Sequence, residues 1–523
     1  MDNARFRKLI VYFLFAFGLV SVALLPHERW EQVGIWISPT GSIFMKTSLL
    51  FRWLRFALPL VGCLILIWLI TPERIREKTA SSASKFLSSK WVLAFSIIFY
   101  LILAIWWINF FPNEPYADSV WYLEHGKLLA DGNGYVYSSE NLTPTAAFPV
   151  GYPVFLSMIF RFAGNTDRVV KISNLLLGVG ILILAYKIGV ILFDSIIAGI
   201  STILLGSLPG FIVYTSLVNS DLFFVFLTLT IWFLLLTRNQ LRRHAFILGF
   251  LVGFSALVRT IGLLLLPFWA LIGIRTREDS PRAAGASLRT WMLTLLGSAI
   301  LIVGLWGIRN YAAFGKLIPI SNNGGLNLWM GSNPEAYGSF VNPFSPDSPL
   351  LQFMDDELVL DAMARRLGLE YALENPLRVL QLLPAKVFYL FNSNDSGLEW
   401  NQASGLKYPQ AGTGLRAYAL VNFVYTIEMI FASLGVISLV LRKRWGWRVW
   451  VGVLYILYFT LLHLPFFGKD RFALPLIPFL LFYSALGIWE LATLPVSPFG
   501  IRQLDRNKNQ KFQVSRPHKR DRP

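Results

Sequence analysis

The stretch Asn113-Glu114-Pro115-Tyr116-Ala117-Asp118-Ser119-Val120-Trp121-Tyr122 sets acids, aromatics and a turn-forming proline directly after a long apolar run. A charge in the first polar segment beyond a membrane span needs a reason, and Asp118 is the candidate catalytic carboxylate. The competing reading is structural. Residues 117–132 read as a short helix ended by Gly132, and an Asp at a helix start commonly caps it by accepting a backbone N–H bond. Val120, Leu123, Lys127 and Leu128 fall on one side, so this helix would lie along the membrane surface, with Glu124 and His125 on a solvated face.

Other polar residues stand out against apolar surroundings. Asn219-Ser220-Asp221 makes a short turn in which Asp221 is either a substrate contact or the cap of the next helix. Arg259 interrupts a nearly continuous apolar stretch from Ala245 to Ala270. A cation at that depth faces a polar cavity or partner, or else snorkels to the headgroups. Residues 321–334 mix amides, glycines and Trp329, a composition suited to holding a polyhydroxylated ligand through Asn327 and the Trp329 ring, and equally to a surface loop. Lys469 and Arg471 fall at the last polar turn, where they contact a phosphate or flank a helix. The five histidines are scattered and no nucleotide loop is present, so neither metal nor cofactor is expected and ATP-driven transport is disfavoured.

The elements that must position these residues are membrane helices. Of 523 residues, 55% are hydrophobic, above the roughly 45–50% of soluble domains. The net charge of +17 falls between apolar runs, which points to cytoplasmic loops facing anionic lipid and not to nucleic acid. The single cysteine, Cys63, excludes an internal disulfide framework. An uncleaved first helix follows Arg5-Phe6-Arg7-Lys8, and a second run covers 54–70. Further spans are expected near 91–111, 172–192, 195–214, 222–237, 245–258, 261–274, 291–308, 424–441, 449–463 and 473–491. With the amino terminus inside, every dense basic cluster and the tail from Arg502 to Arg522 fall on one side, which supports about twelve transmembrane helices in an all-α membrane protein.

Two long segments, 112–170 and 309–423, then lie outside, too long for simple connections. The second carries a juxtamembrane helix over Asp355–Asn375 and an interfacial stretch over Leu377–Phe391. The expected organisation is two extra helices and a basic loop over 1–90, a transmembrane core over 91–491 and a basic, disordered tail over 492–523.

In order along this scaffold, the chain resembles polytopic GT-C glycosyltransferases. The resemblance is nearest to bacterial relatives of protein O-mannosyltransferases and lipid A aminoarabinose transferases. It is carried by the Asp118 segment with Tyr122 and Leu129-Ala130-Asp131-Gly132, by Phe148-Pro149-Val150-Gly151-Tyr152-Pro153, and by Arg309-Asn310-Tyr311 through Phe314-Gly315. The Gly324-Gly325-Leu326-Asn327 and Gly331-Ser332-Asn333-Pro334 segments and Asp470-Arg471-Phe472-Ala473-Leu474-Pro475 complete it. The resemblance implies a sugar on a polyprenyl phosphate, transferred at the outer face of a bacterial plasma membrane to a hydroxyl- or amine-bearing acceptor. It makes Asp118 the base, Arg259, Arg309, Lys469 and Arg471 contacts for the donor phosphate, and Tyr122, Tyr152, Asp221, Asn327 and Trp329 candidates for substrate contact. Two departures stand out. Ala117 and Ser119 flank Asp118 where relatives often carry a second acid, which counts against a divalent metal. Ala147-Phe148 stand where relatives often have a basic residue, which removes one expected phosphate contact.

Two other classes remain as alternatives. A twelve-helix secondary transporter fits the span count, but its usual related halves and midplane polar sites are not seen, and the polar residues collect in two unequal outer segments. A non-catalytic protein binding a lipid-linked sugar would keep the cavity without needing Asp118.

Overall fold

Apolar runs behind Asp, Ser and Thr caps fold as helices. Thr166, Asp194, Ser287 and Asp356 each accept backbone N–H bonds from the first turn of the helix they open. The computed structural model describes residues 57–493 apart from 66, 68–70, 112, 238–241, 279–286 and 404–412. The first expected span, part of the second and the basic tail lie outside the described residues.

The helices are α1 (Glu73–Leu87), α2 (Trp91–Phe110), α3 (Asp118–Ala130), α4 (Gly151–Ala163), α5 (Asp167–Leu192), α6 (Ser195–Ser207), α7 (Pro209–Ile212), α8 (Asp221–Leu236), α9 (Arg242–Val258) and α10 (Ile261–Leu264). They continue with α11 (Leu266–Glu278), α12 (Leu288–Phe314), α13 (Gly324–Gly331), α14 (Glu357–Glu374), α15 (Pro376–Phe391), α16 (Ser396–Ala403), α17 (Thr413–Leu441), α18 (Trp447–His463) and α19 (Ile477–Ala492). Short 3₁₀ stretches cover Val213–Ser216 and Asp470–Leu476. Among the described residues the β-structure is an isolated bridge between Val136 and Pro144.

This is an all-α, multi-pass membrane protein. The count of about twelve spans is not reached among the described residues: five helices are long and apolar enough to cross, or six with the bent pair Ser195–Ser207 and Pro209–Ser216, which turns by 61°. Pro209 at the start of α7 accounts for the bend, because it cannot donate the next helical bond. The 261–274 run is likewise interrupted at Leu265, between α10 and α11. Helix α8, with 16 residues, reaches about 24 Å at 1.5 Å per residue, short of a hydrocarbon core of about 30 Å.

Small residues set the tightest packing. On α9, Gly249 and Gly253 lie against α12, where a Cβ at Gly253 would stand 2.7 Å from the Ala299 carbonyl oxygen, so the two backbones meet at contact distance. Helix α3 docks on α4 in the same way through Gly126, where a Cβ would meet Leu156 Cβ at 2.8 Å. This contact corrects the expected orientation of α3. Its buried face is Ser119, Tyr122, His125, Gly126 and Leu128, while Val120 is exposed. His125 is buried, its ring stacked on Trp121 at 3.8 Å and its Nδ1 2.8 Å from the Trp121 carbonyl oxygen.

The 377–391 stretch forms α15, with Lys386 buried and its Nζ donating to the Leu464 carbonyl at 2.9 Å, just past the end of α18. Helix α15 packs on the 3₁₀ stretch that opens with Asp470 and Arg471. The 309–423 segment therefore reaches the last polar turn.

Candidate active site

Helix α3 starts from an unusual backbone position. Ala117 has φ 48° and ψ −119°, a region that L residues with a side chain adopt only under strain, at a cost of about 1–3 kcal/mol. The first amides of the helix are satisfied by the chain itself, with Ser119 N–H donating to Tyr116 O and Val120 N–H to Ala117 O, both at 3.0 Å. Asp118 is thus released from capping, and no side-chain cap bond forms there. Its carboxylate turns to Arg471, whose Nη1 and Nη2 both donate to Oδ2 at 3.2 Å.

Arg471 gathers the next residues. Its Nη2 donates to Asn219 Oδ1 at 3.4 Å, its Nε stands 3.6 Å from Asp221 Oδ2, and its guanidinium lies over the Trp400 ring at 4.8 Å. Asp221 opens α8 without a cap bond and is fully buried; its Oδ1 accepts from Arg259 Nη1 at 2.5 Å. Both cap readings therefore give way to ion pairing, and Arg259 points to a partner and not to the headgroups. Phe224 and Phe472 flank its guanidinium at 5.9 and 5.7 Å.

The result is a chain of alternating charge, Asp118–Arg471–Asp221–Arg259, in which two acids neutralise two cations. Buried charges are tolerated in such pairs, because an unpaired one would carry its full desolvation cost. Asp118 is the open end, with its side chain 28% exposed against 12% for Arg471 and 0% for Asp221.

Behind Arg471 lies a second polar group. Lys469 pairs with Glu399, and Asp470 accepts from the Ser396 amide at 2.8 Å and from the Ser396 hydroxyl. Asp395 accepts from Asn422 Nδ2 at 2.7 Å. Burial, with Asp470 and Glu399 adding repulsion, pushes the Asp395 carboxyl up to about 6. Burial pulls Lys469 down, but Asp470 and Glu399 outweigh it and hold the ammonium above its ordinary value.

The remaining sequence candidates are placed differently. Tyr122 and Tyr152 stand edge to face at 5.1 Å in the core, and burial pushes the Tyr122 phenol up to about 12. Arg309 is not in the charged chain. It donates to the carbonyls of Thr145 at 2.9 Å and Tyr135 at 2.5 Å and to Asn310 Oδ1 at 2.9 Å, with Trp306 under its guanidinium at 4.8 Å. Trp329 is buried with Met330, Val341, Leu350, Ala364 and Phe467, and α13, which also carries Asn327, packs on α14. Its ring is therefore enclosed by the core.

Sequence reasoning missed Trp400, Asn219 as a ligand of Arg471, and the Glu399–Asp395 group. It also missed Glu357, which clasps the 112–170 segment by accepting from Thr145 Oγ1 at 2.7 Å and Ala146 N–H at 2.9 Å. The one available signal was the polar run around Glu399-Trp400-Asn401 in the 309–423 segment. Among the described residues no group of three or more His, Cys, Asp or Glu is arranged to hold a metal ion.

Fold and site together define a polytopic helical membrane protein with an acid–arginine chain at the ends of its helices. Residues 148–306 match the family model of dolichyl-phosphate-mannose-protein mannosyltransferases, and the chain resembles GT-C glycosyltransferases in this region. That segment holds Tyr152, Asp221 and Arg259; Asp118 and Arg471 lie to either side of it. No curated protein matches the chain significantly. Among solved structures, oligosaccharyltransferase from Archaeoglobus fulgidus, complexed with zinc and sulfate, is 14% identical at a TM-score of 0.40, covering 76% of this chain and 48% of that one. Its apo form gives the same identity and TM-score, with 82% and 52% covered. The chain spans about half the length of these archaeal chains, and so distant a likeness carries no argument about the site.

Proposed function

We propose that the protein is an inverting glycosyltransferase that moves a sugar from a polyprenyl-phosphate donor to a hydroxyl or amine of an acceptor, at the outer face of a bacterial plasma membrane. The observation that carries this reading is Asp118: a carboxylate at a helix start that caps nothing, is partly open, and faces an arginine shared with a buried second acid.

The chemistry follows from that pair. As the acceptor oxygen or nitrogen attacks the anomeric carbon from the side opposite the phosphate, Asp118 takes its proton. The bond from the anomeric carbon to the phosphate oxygen breaks, and the lipid phosphate leaves as a stable anion that needs no general acid. Arg471 and Arg259, held by Asp221, stabilise the developing negative charge. Asp118 must be free to accept a proton, and its bonds to Arg471 suit that need. At 3.2 Å they are longer than the roughly 2.7–2.9 Å of tight charge-assisted bonds. An arriving phosphate draws the guanidinium to itself and releases the base. Lys469 stands next to Arg471 as a further cation toward the donor. The catalytic unit in this reading is the core over 91–491.

The test is transfer by the purified protein in proteoliposomes, using a panel of polyprenyl-phosphate sugars and membrane acceptors. The expected product has the anomeric configuration opposite to the donor, with one lipid phosphate released per sugar moved. Retained configuration contradicts the mechanism. Uptake of free sugar by sealed vesicles, without release of lipid phosphate, identifies a transporter instead.

A further inference from the structure

Three successive residues at the last polar turn each engage a different residue of α16. Lys469 pairs with Glu399, Asp470 accepts from the Ser396 amide and hydroxyl, and the Arg471 guanidinium lies over the Trp400 ring at 4.8 Å. Ser396, Glu399 and Trp400 stand at i, i+3 and i+4, the spacing that gathers side chains on one face of a helix. The adjoining face is pinned to the 3₁₀ stretch over Val213–Ser216. Asn401 Nδ2 donates to the Val213 carbonyl at 3.1 Å, and its Oδ1 accepts from Ser216 Oγ at 2.7 Å. Gly397 lets the two elements meet, since a Cβ there would stand 2.7 Å from Val213 Cγ2. Eight residues are too few for a helix to be stable by itself. These contacts on two sides hold α16, and with it the indole, in place.

The indole supplies what the polar partners of Arg471 do not. Both Nη atoms converge on one oxygen of Asp118 at 3.2 Å, so the two parallel bonds that lock a guanidinium to a carboxylate are not formed. Asn219 Oδ1 at 3.4 Å and Asp221 Oδ2 at 3.6 Å are farther still. The ring face attracts the cation through its negative quadrupole, and this attraction is strongest where water is kept away, as around the Arg471 side chain at 12% exposure.

We propose that Trp400 is a positioning residue: its indole, carried on α16, holds the Arg471 guanidinium in the orientation from which it reaches both Asp118 and the departing phosphate. The inference rests on the glycosyltransferase reading, in which Trp400 acts only through Arg471.

Two double-mutant cycles on the full chain in lipid nanodiscs test it. Trp400→Leu, Arg471→Met and the double variant are compared in thermal midpoint, and again in kcat and KM for a polyprenyl-phosphate sugar. The thermal losses are expected to be less than additive, as for residues in contact. Trp400→Leu is expected to lower kcat by about tenfold to a hundredfold with KM within about threefold. In the Arg471→Met background the same change is expected to cost less than about twofold, because no cation is left to orient. Trp400→Phe keeps a ring face and is expected to restore kcat to within about threefold of wild type. Fluorinated tryptophans at position 400 keep the shape of the ring while weakening its hold on a cation, so they read the same contact even if Trp400→Leu does not fold. They are expected to lower kcat stepwise with each fluorine. Additive losses of kcat, a Trp400→Phe variant as slow as Trp400→Leu, or a kcat indifferent to fluorination overturns the proposal. If transfer depends on Asp118 but the kinetic losses add, the positioning role alone fails. If the thermal losses are coupled as expected but wild type turns over no donor, the glycosyltransferase reading fails while the contact between Trp400 and Arg471 stands.

Discussion

Arg471 and Arg309 are both arginines that sequence reasoning placed on a donor phosphate, and the structure gives them opposite surroundings. Arg309 donates to two backbone carbonyls and a neighbouring amide, and Glu357 holds the same loop from the other side through Thr145 and Ala146. Asn322 ties in both partners, its Nδ2 donating to Glu357 O and its amide to Ala146 O, each at 2.7 Å. Arg471 instead faces two carboxylates with bonds of 3.2 Å or longer, and its Nε lacks a hydrogen-bond partner. A guanidinium with its donors committed to carbonyls fixes a loop. One loosely held between acids at an open edge can exchange partners when an anion arrives.

The comparison is tested first by removing each cation. Arg471→Met is expected to lower kcat by about 10²–10³, as for the loss of a donor aimed at developing charge. Arg309→Met is expected to lower the thermal midpoint while leaving kcat within about tenfold, because it releases the loop and not the reacting groups. Equal kcat losses from the two, with unchanged stability for Arg309→Met, would erase the distinction.

Strain sharpens the contrast. The left-handed Ala117 lies on the Arg471 side, directly before Asp118. Ala117→Gly is expected to stabilise the protein by about 1 kcal/mol, since glycine adopts that backbone freely. It is also expected to slow transfer severalfold as Asp118 loses its fixed approach to Arg471. Thermal unfolding and transfer assayed on the same preparation read both effects.

The smallest effect concerns the polar group behind Arg471. The Asp395 carboxyl titrates near 6 in the folded protein against 3.8 ordinarily, so between these values the folded state keeps a proton that the unfolded chain has lost. Stability is therefore expected to fall as pH rises through about 4 to 6, and Asp395→Asn to flatten that slope in thermal melts.

Much of this was legible in the chain. Asp118, Asp221, Arg259 and Arg471 announced themselves as charges set in or beside apolar runs, where charge requires a partner. The pairing was not legible, because Asp118 and Arg471 stand 353 residues apart and Asp221 and Arg259 stand 38 apart, and no local pattern links them. Trp329 read as an open ring because amides and glycines around it look like a loop, whereas α13 folds onto α14. His125 read as solvated until Gly126 let α3 press against Leu156. Counting apolar runs gave about twelve spans, but hydropathy does not register the bend at Pro209 or the break at Leu265.

The most direct test is single-turnover release of lipid phosphate by wild type and Asp118→Asn at saturating donor and acceptor. The variant is expected to release it about 10²–10⁴-fold more slowly, in line with the loss of a general base. It should bind the donor as tightly as wild type or more so, because Arg471 is then free for the phosphate. Release at the wild-type rate would show that Asp118 is not the base.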